Sequence, residues 1–342
     1  MTDRLSVSPP VRPSVGPPVR LSDLRTAAQA LAGIAVPTPL IEAPGLSRRL
    51  GVPVWLKCEQ WQPVGAFKVR GAWTAITRLL ERGRPPGIVA HSSGNHGRAV
   101  AWVARRLGLR AVIVMNDNAP PIKVDAVRAE GAEVVLVDRY RRAAAADEIA
   151  RRDGLAPIHP YNHPDVILGQ ATCGLEIIEA RPEVRHLLSP IGGGGLLAGC
   201  CTAALALGHP VEPIGVEPDG AAKLSAALAA GRPVALEKTA SLADGLLPVA
   251  VGEIPWDRIR QRVRRALRIS DDAIGSAVRF LFQDMGLKVE PSGAVAVAAL
   301  LQGELRPDGP VAAILSGGNV DPDLFSRLII PLPPFPSSPL PL

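Results

Sequence analysis

The sequence predicts an α/β protein built on a mostly parallel sheet, and three observations carry that prediction. Short apolar, β-branched runs alternate with segments of helical period along most of the chain. Those runs are too uniformly apolar for half-exposed strands, as expected of a parallel sheet covered on both faces. The 342 residues are 47% hydrophobic and 20% charged, enough for two domains, or one large α/β unit, with a cleft between lobes.

In chain order, VPVWLKCE (52–59) reads as a strand, and residues 71–82 as a helix spaced by Ala72, Ile76, Leu79 and Leu80. GIVAHSS (87–93) is a strand running into a polar loop, and 96–108 is a helix stopped by Gly108. Strand 110–116, helix 121–131 with Gly131 as its stop, strand 132–138 and helix 143–154 follow. HLLSPI (186–191) and EPIGVEP (212–218) are strands flanking a helix, and VAAILSG (311–317) is a late strand. Residues 1–20 and 331–342 are Pro-rich and aperiodic, and read as tails, the first of them flexible.

Composition narrows the function. The net charge is +6, but only six residues are Lys, and the many Arg are scattered among acids rather than stacked beside aromatics, which argues against nucleic-acid binding. The N-terminus lacks a continuous apolar segment, so it does not read as a secretory signal. The longest uncharged stretch, 192–208, is glycine-rich and does not read as a membrane span. Four Cys without a C-x-x-C fit buried thiols in a reducing cytoplasm.

Four motifs sit at strand-to-loop or loop-to-helix junctions, where open parallel sheets bind ligands. SPIGGGGLLAG (189–199) places four glycines between an apolar strand and a helix, which suits a phosphate cradle rather than a linker. Gly193, Gly195 and Ala198, with Glu217 at the end of the next strand, also satisfy a dinucleotide fingerprint, so a nicotinamide dehydrogenase stays open at this point. In VGAFKVRGAW (64–73), Lys68 stands among Ala66, Phe67, Val69 and Gly71; apolar surroundings lower an amine's pKa and make it nucleophilic, as an imine with an aldehyde cofactor requires. A surface lysine reads equally well from these residues alone. HSSGNHGRA (91–99) offers hydroxyls, an amide and a helix start to a carboxylate, or simply an ordinary helix cap. LKVEPSGA (287–294) and ILSGGN (314–319) are turns that could line the same cleft.

Together with PTPL (37–40), HPYNHPDVILGQAT (159–172), GVEP (215–218) and ADGL (243–246), this set resembles the serine/threonine dehydratase family of pyridoxal-phosphate (PLP) enzymes, the branch of serine racemase and short threonine dehydratases, over roughly residues 21–328. The resemblance implies a two-lobed PLP fold (fold type II): a large cofactor-binding domain (21–86 and 165–330) into which a small domain (87–164) is inserted. It implies that Lys68 carries the cofactor covalently beside Phe67, and that Gly192, Gly193, Gly194, Gly195 and Leu196 hold its phosphate. Asn95 would bond the ring's 3-oxygen, Ser316 would face the ring nitrogen, and Glu290 would order the cofactor edge. Ser92, Ser93, Asn95 and His96 would receive the substrate carboxylate, with Asp244 at the cleft mouth.

The implied activity is elimination of the β-hydroxyl of L-threonine or L-serine, giving a 2-oxo acid and ammonia, in a cytoplasmic homodimer. Other PLP elimination or replacement enzymes, such as a hydroxyaspartate dehydratase or a cysteine synthase, are the neighbouring alternatives. Ser93 on the face opposite Lys68 would add serine racemisation. Ala171, Asn162 and Val64 depart from the family pattern. So does the cation site of the racemase branch, which would fall on Glu217, Ala221 and residue 223; Lys223 puts an ammonium where a carboxylate is expected, and no metal is expected there. Twenty-three residues follow Asn319, which implies no C-terminal regulatory domain.

Overall fold

The computed structural model describes residues 18–92 and 94–330, so Ser93 and most of both tails lie outside the described residues. The strands are β1 (Leu40–Glu42), β2 (Val54–Cys58), β3 (Ile88–His91), β4 (Ala111–Asn116), β5 (Glu133–Val137), β6 (Ala156–Pro157), β7 (His186–Pro190), β8 (Glu212–Pro218), β9 (Ala266–Ile269) and β10 (Val311–Leu315). The helices before the glycine run are α1 (Leu21–Ala30), α2 (Pro44–Leu50), α3 (Lys68–Arg82), α4 (Asn95–Leu107), α5 (Pro121–Arg128), α6 (Arg142–Asp153) and α7 (Pro164–Ala180). Those after it are α8 (Gly195–Ala206), α9 (Lys223–Ala230), α10 (Glu253–Arg262), α11 (Asp271–Gln283), α12 (Pro291–Gln302) and α13 (Pro322–Ile329).

Six strands form one sheet in the order β1-β2-β10-β7-β8-β9, and four form a second in the order β5-β4-β3-β6. Among the described strands, β1 pairs antiparallel with β2 and the other pairings are parallel. Every residue of β2, β7 and β10 is buried, as the apolar runs require of central strands with helices on both faces. The smaller sheet is drawn from residues 88–157, between β2 and β7 in the chain.

Local chemistry sets the helix ends. Gly108 and Gly154 take left-handed conformations at the ends of α4 and α6, where a side chain would be strained. The expected helix 121–131 ends earlier, at Arg128, because the 128–131 turn closes through the Gly131 N–H to the Arg128 carbonyl at 2.8 Å to enter β5. Helix α3 starts three residues before its apolar period, at Lys68. Helix α12 is buried continuously from Pro291 to Leu300, so its apolar sequence shows no solvent face. Truncating one of its large aliphatic side chains to Ala costs about 2–5 kcal/mol, and the helix carries Glu290 at its N-cap.

Among the described residues, no helix is long and apolar enough to cross a membrane, and no group of three or more His, Cys, Asp or Glu is placed to hold a metal ion. The four cysteines are buried and unpaired, and burial pushes the Cys58 thiol up to about 11 and Cys201 up to about 12.

Candidate active site

The carboxyl ends of β2, β10 and β7 lie side by side, and the loops bearing Lys68, Ser316 and the glycine run leave from them, while the 91–99 loop follows β3 of the smaller sheet and 287–294 follows α11. After β2, the chain turns through residues 59–67 and enters α3 with Lys68 as its first residue. Residues 64–67 are zipped to 316–319 beyond β10: the Phe67 N–H donates to the Ser316 carbonyl at 3.1 Å, and the Gly318 N–H to the Gly65 carbonyl at 2.9 Å. Lys68 is half-buried, and its Nζ donates to the Pro160 carbonyl at 2.8 Å and lies 5.1 Å from the Phe67 ring centroid. Burial holds the amine down to about 8. A substantial neutral fraction at neutral to mildly alkaline pH is what an amine needs to attack an aldehyde.

Rigidity at Lys68 comes from two residues further along α3. Arg70, 1% exposed, donates to both oxygens of Glu59 (2.7 and 2.8 Å) and both of Glu176 on α7 (2.6 and 2.8 Å). Lys57 also reaches Glu176 at 2.5 Å, and the Thr38 hydroxyl donates to Glu59 at 2.5 Å. Paired on every side, these charges tie α3 to the end of β2 and to α7; removing one partner would strand a buried charge.

The glycine run leaves β7 and enters α8, which begins at Gly195 with no side-chain cap, so its first N–H groups stand ready for an anion. Gly194 has φ +97°, a conformation side chains avoid. A Cβ on Gly193 would lie 2.3 Å from the ring of Tyr161, so only glycine allows that approach. Tyr161 follows Pro160, and this one dipeptide therefore joins the Lys68 amine to the glycine cradle. The residues present suit the phosphate and aldehyde of PLP. Of the residues expected to bind phosphate, Leu196 can contribute only its main chain, since its side chain is buried in the core against α7 and α1.

Across the cleft, Asn95 opens α4, and its Nδ2 donates to Glu290 Oε1 at 2.6 Å while its Oδ1 accepts from Asn319 Nδ2 at 2.7 Å. Asn319 also donates to the Val64 carbonyl at 2.8 Å, so residues from four segments lock together. Glu290 is 4% exposed; burial, with Asp244 nearby, pushes its carboxyl up to about 8. Ser316 is buried, and its hydroxyl donates to the Ser292 carbonyl at a long 3.5 Å. Exposed Asp244 pairs with Lys123 of α5, so the mouth is bridged between the two sheets' halves.

Ser92 and Asn95 flank the Gly94 cap of α4, and the Ser92 hydroxyl accepts the Gly94 N–H at 3.2 Å. His96 is set apart from them: 2% exposed, with Nε2 on the Ile158 carbonyl at 2.9 Å, it faces inward. His91, His159 and Tyr161 stack edge-on, with ring centroids 5.3 and 4.7 Å apart, and burial, then the neighbouring His91 and Lys68, pushes His159 down to about 3, so this wall is neutral. Neither these rings nor Asn319, Lys123 or Arg70 stood out in the sequence as site residues, although HPYN and LSGGN contain three of them. Of the three departures, Val64 and Asn162 take part in the frame through Asn319 and through the Ile254 N–H (2.9 Å), and Ala171 is buried on α7.

Glu217 cannot serve a ribose. It is fully buried, and its carboxylate accepts from the Leu224 N–H (2.7 Å), the Ser225 N–H (2.8 Å) and the Ser225 hydroxyl (2.7 Å). The dinucleotide reading of Gly193, Gly195, Ala198 and Glu217 falls for that reason.

Comparison with known proteins identifies the family and the fold. The family model described as pyridoxal-phosphate dependent enzyme matches residues 31–317. The L-threonine ammonia-lyase of Thermotoga maritima is 36% identical over 313 residues, covering 91% of this chain and 78% of the relative. The L-threo-3-hydroxyaspartate ammonia-lyase of Saccharomyces cerevisiae is 38% identical over 295 residues, 85% of this chain and 90% of the relative. The solved structure of maize serine racemase superposes with a TM-score of 0.86 at 34% identity, covering 90% of this chain and 96% of that one. The family match takes in all ten described strands and the site loops as far as Gly317, and this chain belongs to the pyridoxal-phosphate dependent enzymes.

Proposed function

We propose that the chain is an ammonia-lyase that converts L-threonine, L-serine or both to a 2-oxo acid and ammonia, working as a cytoplasmic homodimer whose lobes are 21–86 with 165–330 and the inserted 87–164. The observation that carries the reading is the Lys68 amine, held down to about 8 by burial and joined through Pro160 and Tyr161 to a glycine cradle. Bound PLP supplies a conjugated ring that takes up the electron pair left when the α-proton departs.

The chain's own residues do the rest. The main chain of 192–196 and the start of α8 grip the phosphate. Lys68 would hold the aldehyde end of the cofactor, and its amine would be the base placed to take the α-proton, with proximity lowering the barrier. Ser316 would offer the ring a neutral hydroxyl, which would not enforce protonation of its nitrogen and would favour loss of the β-hydroxyl. Ser92, Ser93 and the start of α4 bind the carboxylate, Asn95 and Glu290 order the ring edge, and the neutral wall of His91, His159 and Tyr161 limits water.

A second reading, a 3-hydroxyaspartate as the substrate, is supported by the 38% identity to the Saccharomyces relative that acts on it. Purified chain loaded with PLP and offered L-threonine, L-serine and threo-3-hydroxyaspartate should release 2-oxo acid, and the relative rates decide between the two readings. Failure to release oxo acid from any of the three refutes the lyase reading.

Serine racemisation, the side activity, rests on Ser93. Ser93→Ala should abolish D-serine formation, followed by chiral chromatography, while elimination stays within about threefold. Wild-type protein that forms no D-serine over a long incubation ends that part of the proposal.

A further inference from the structure

Helix α9 begins with a lysine that has no exposure at all. Lys223 Nζ donates to the Ala221 carbonyl at 2.7 Å and to the Leu246 carbonyl at 2.8 Å, two main-chain oxygens from segments 25 residues apart in sequence. Behind it lies the Glu217 carboxylate, whose oxygens are occupied by α9's first turn. A buried pocket of carbonyl oxygens beside a carboxylate is a cation site, and here the chain fills it with its own side chain. A divalent ion does not fit: the ammonium holds the carbonyls, and its charge would repel a second cation.

The position matters because of what it holds. Leu246 ends the 244–246 turn, which carries Asp244 at the cleft mouth. In the same turn the Gly245 N–H donates to Ser292 Oγ at 2.9 Å, and the Gly245 carbonyl lies 3.0 Å from where a Cβ on Gly192 would stand. Moving the turn therefore moves the wall of the glycine cradle.

We infer that Lys223 is a tethered internal cation that positions the 244–246 turn against the phosphate-gripping loop and makes the protein independent of added metal ions. The stability part of this inference stands without the proposed reaction; only the cradle part rests on it.

The test uses the full chain, treated with a chelating resin, with and without PLP. The wild-type thermal midpoint should move by less than about 1 °C with MgCl2, CaCl2 or KCl at matched ionic strength. Lys223→Ala leaves two buried carbonyls without a donor, and its midpoint should fall by about 5 °C or more. It should also lose PLP faster on gel filtration. KCl or NH4Cl, whose cations match the lost group in size and charge, should restore much of both losses, whereas tetramethylammonium chloride should not. If Lys223→Ala does not fold, Lys223→Met, of similar length but uncharged, decides the matter: a lower midpoint and faster PLP loss support the inference. A clear gain of wild-type stability with any of the metal salts overturns it. So does a Met or Ala variant as stable and retentive as wild type, or rescue by tetramethylammonium equal to that by potassium.

Discussion

Lys68 and Lys223 share a setting. Each is the first residue of a helix, each donates to main-chain carbonyls, and burial holds each amine down to about 8. They differ in their surroundings. Lys68 has one carbonyl acceptor, keeps a partly exposed side chain and stands beside the cradle through Tyr161. Lys223 has two carbonyl acceptors, a carboxylate behind it and no exposure. Desolvation alone does not make a lysine reactive; access and spare hydrogen-bonding capacity do. The glycine loop lies between the two, touched from one side by Tyr161 and from the other by Gly245.

The comparison can be broken most directly at Lys68. Lys68→Met should lower turnover by about a thousandfold or more, read as 2-oxo acid release. The same change should leave the apoprotein's midpoint at pH 7 unchanged or raised, because it removes a desolvated charge from a functional site. A midpoint loss as large as that of Lys223→Met would show that both lysines are structural.

Gly193→Ala shifts attention to the loop between them. The added methyl meets the Tyr161 ring, and overpacking of about 1–3 kcal/mol corresponds to a roughly tenfold to hundredfold weaker hold on PLP. Titration with PLP at its visible band measures this, and an unchanged affinity would place the phosphate elsewhere.

The smallest effect is that of pH. The neutral amine attacks the aldehyde, so the rate of PLP capture should rise several-fold as pH rises through about 8 and then level off. Stability follows with its own sign. Both lysines are lowered from 10.5, so the unfolded chain binds more protons across the window from about 8 to 10.5. Their contribution to apoprotein stability is complete above that window and is lost as pH falls through about 8. Lys68→Met should flatten part of this rise in a series of melts.

What could be read from the sequence follows physical reach. Long apolar runs such as 54–58, 111–116 and 311–315 declare buried parallel strands because each holds a full period of evidence. β1 and β6, of three and two residues, carry too few residues to show any pattern, and the apolar run of β9 is broken by Arg268; each exists because neighbouring strands offer it hydrogen bonds. The four glycines read as an anion cradle because their chemistry is local, a backbone free of side chains, whereas Lys68, an amine among apolar residues, read equally as a surface lysine until the family resemblance singled it out. Arg70, Asn319 and Tyr161 were not legible, since each acts through partners more than 30 residues away, Glu176, Asn95 and the glycine loop. Lys223 was legible as a misfit against the family pattern, but its two carbonyl acceptors emerge only from the folded turn.

The position of β10 has a consequence for how the protein comes into being. The last of the described strands to leave the ribosome, β10, is seated between β2 and β7, in the middle of the larger sheet, and Ser316 and Asn319 arrive directly behind it. Until residues 311–319 have emerged, the sheet lacks its central member and residues 64–67 lack the segment they zip against. Synthesis therefore withholds a finished pocket from the nascent polypeptide, and the closing insertion, joining segments some 250 residues apart, belongs to the slow, non-local class of folding events.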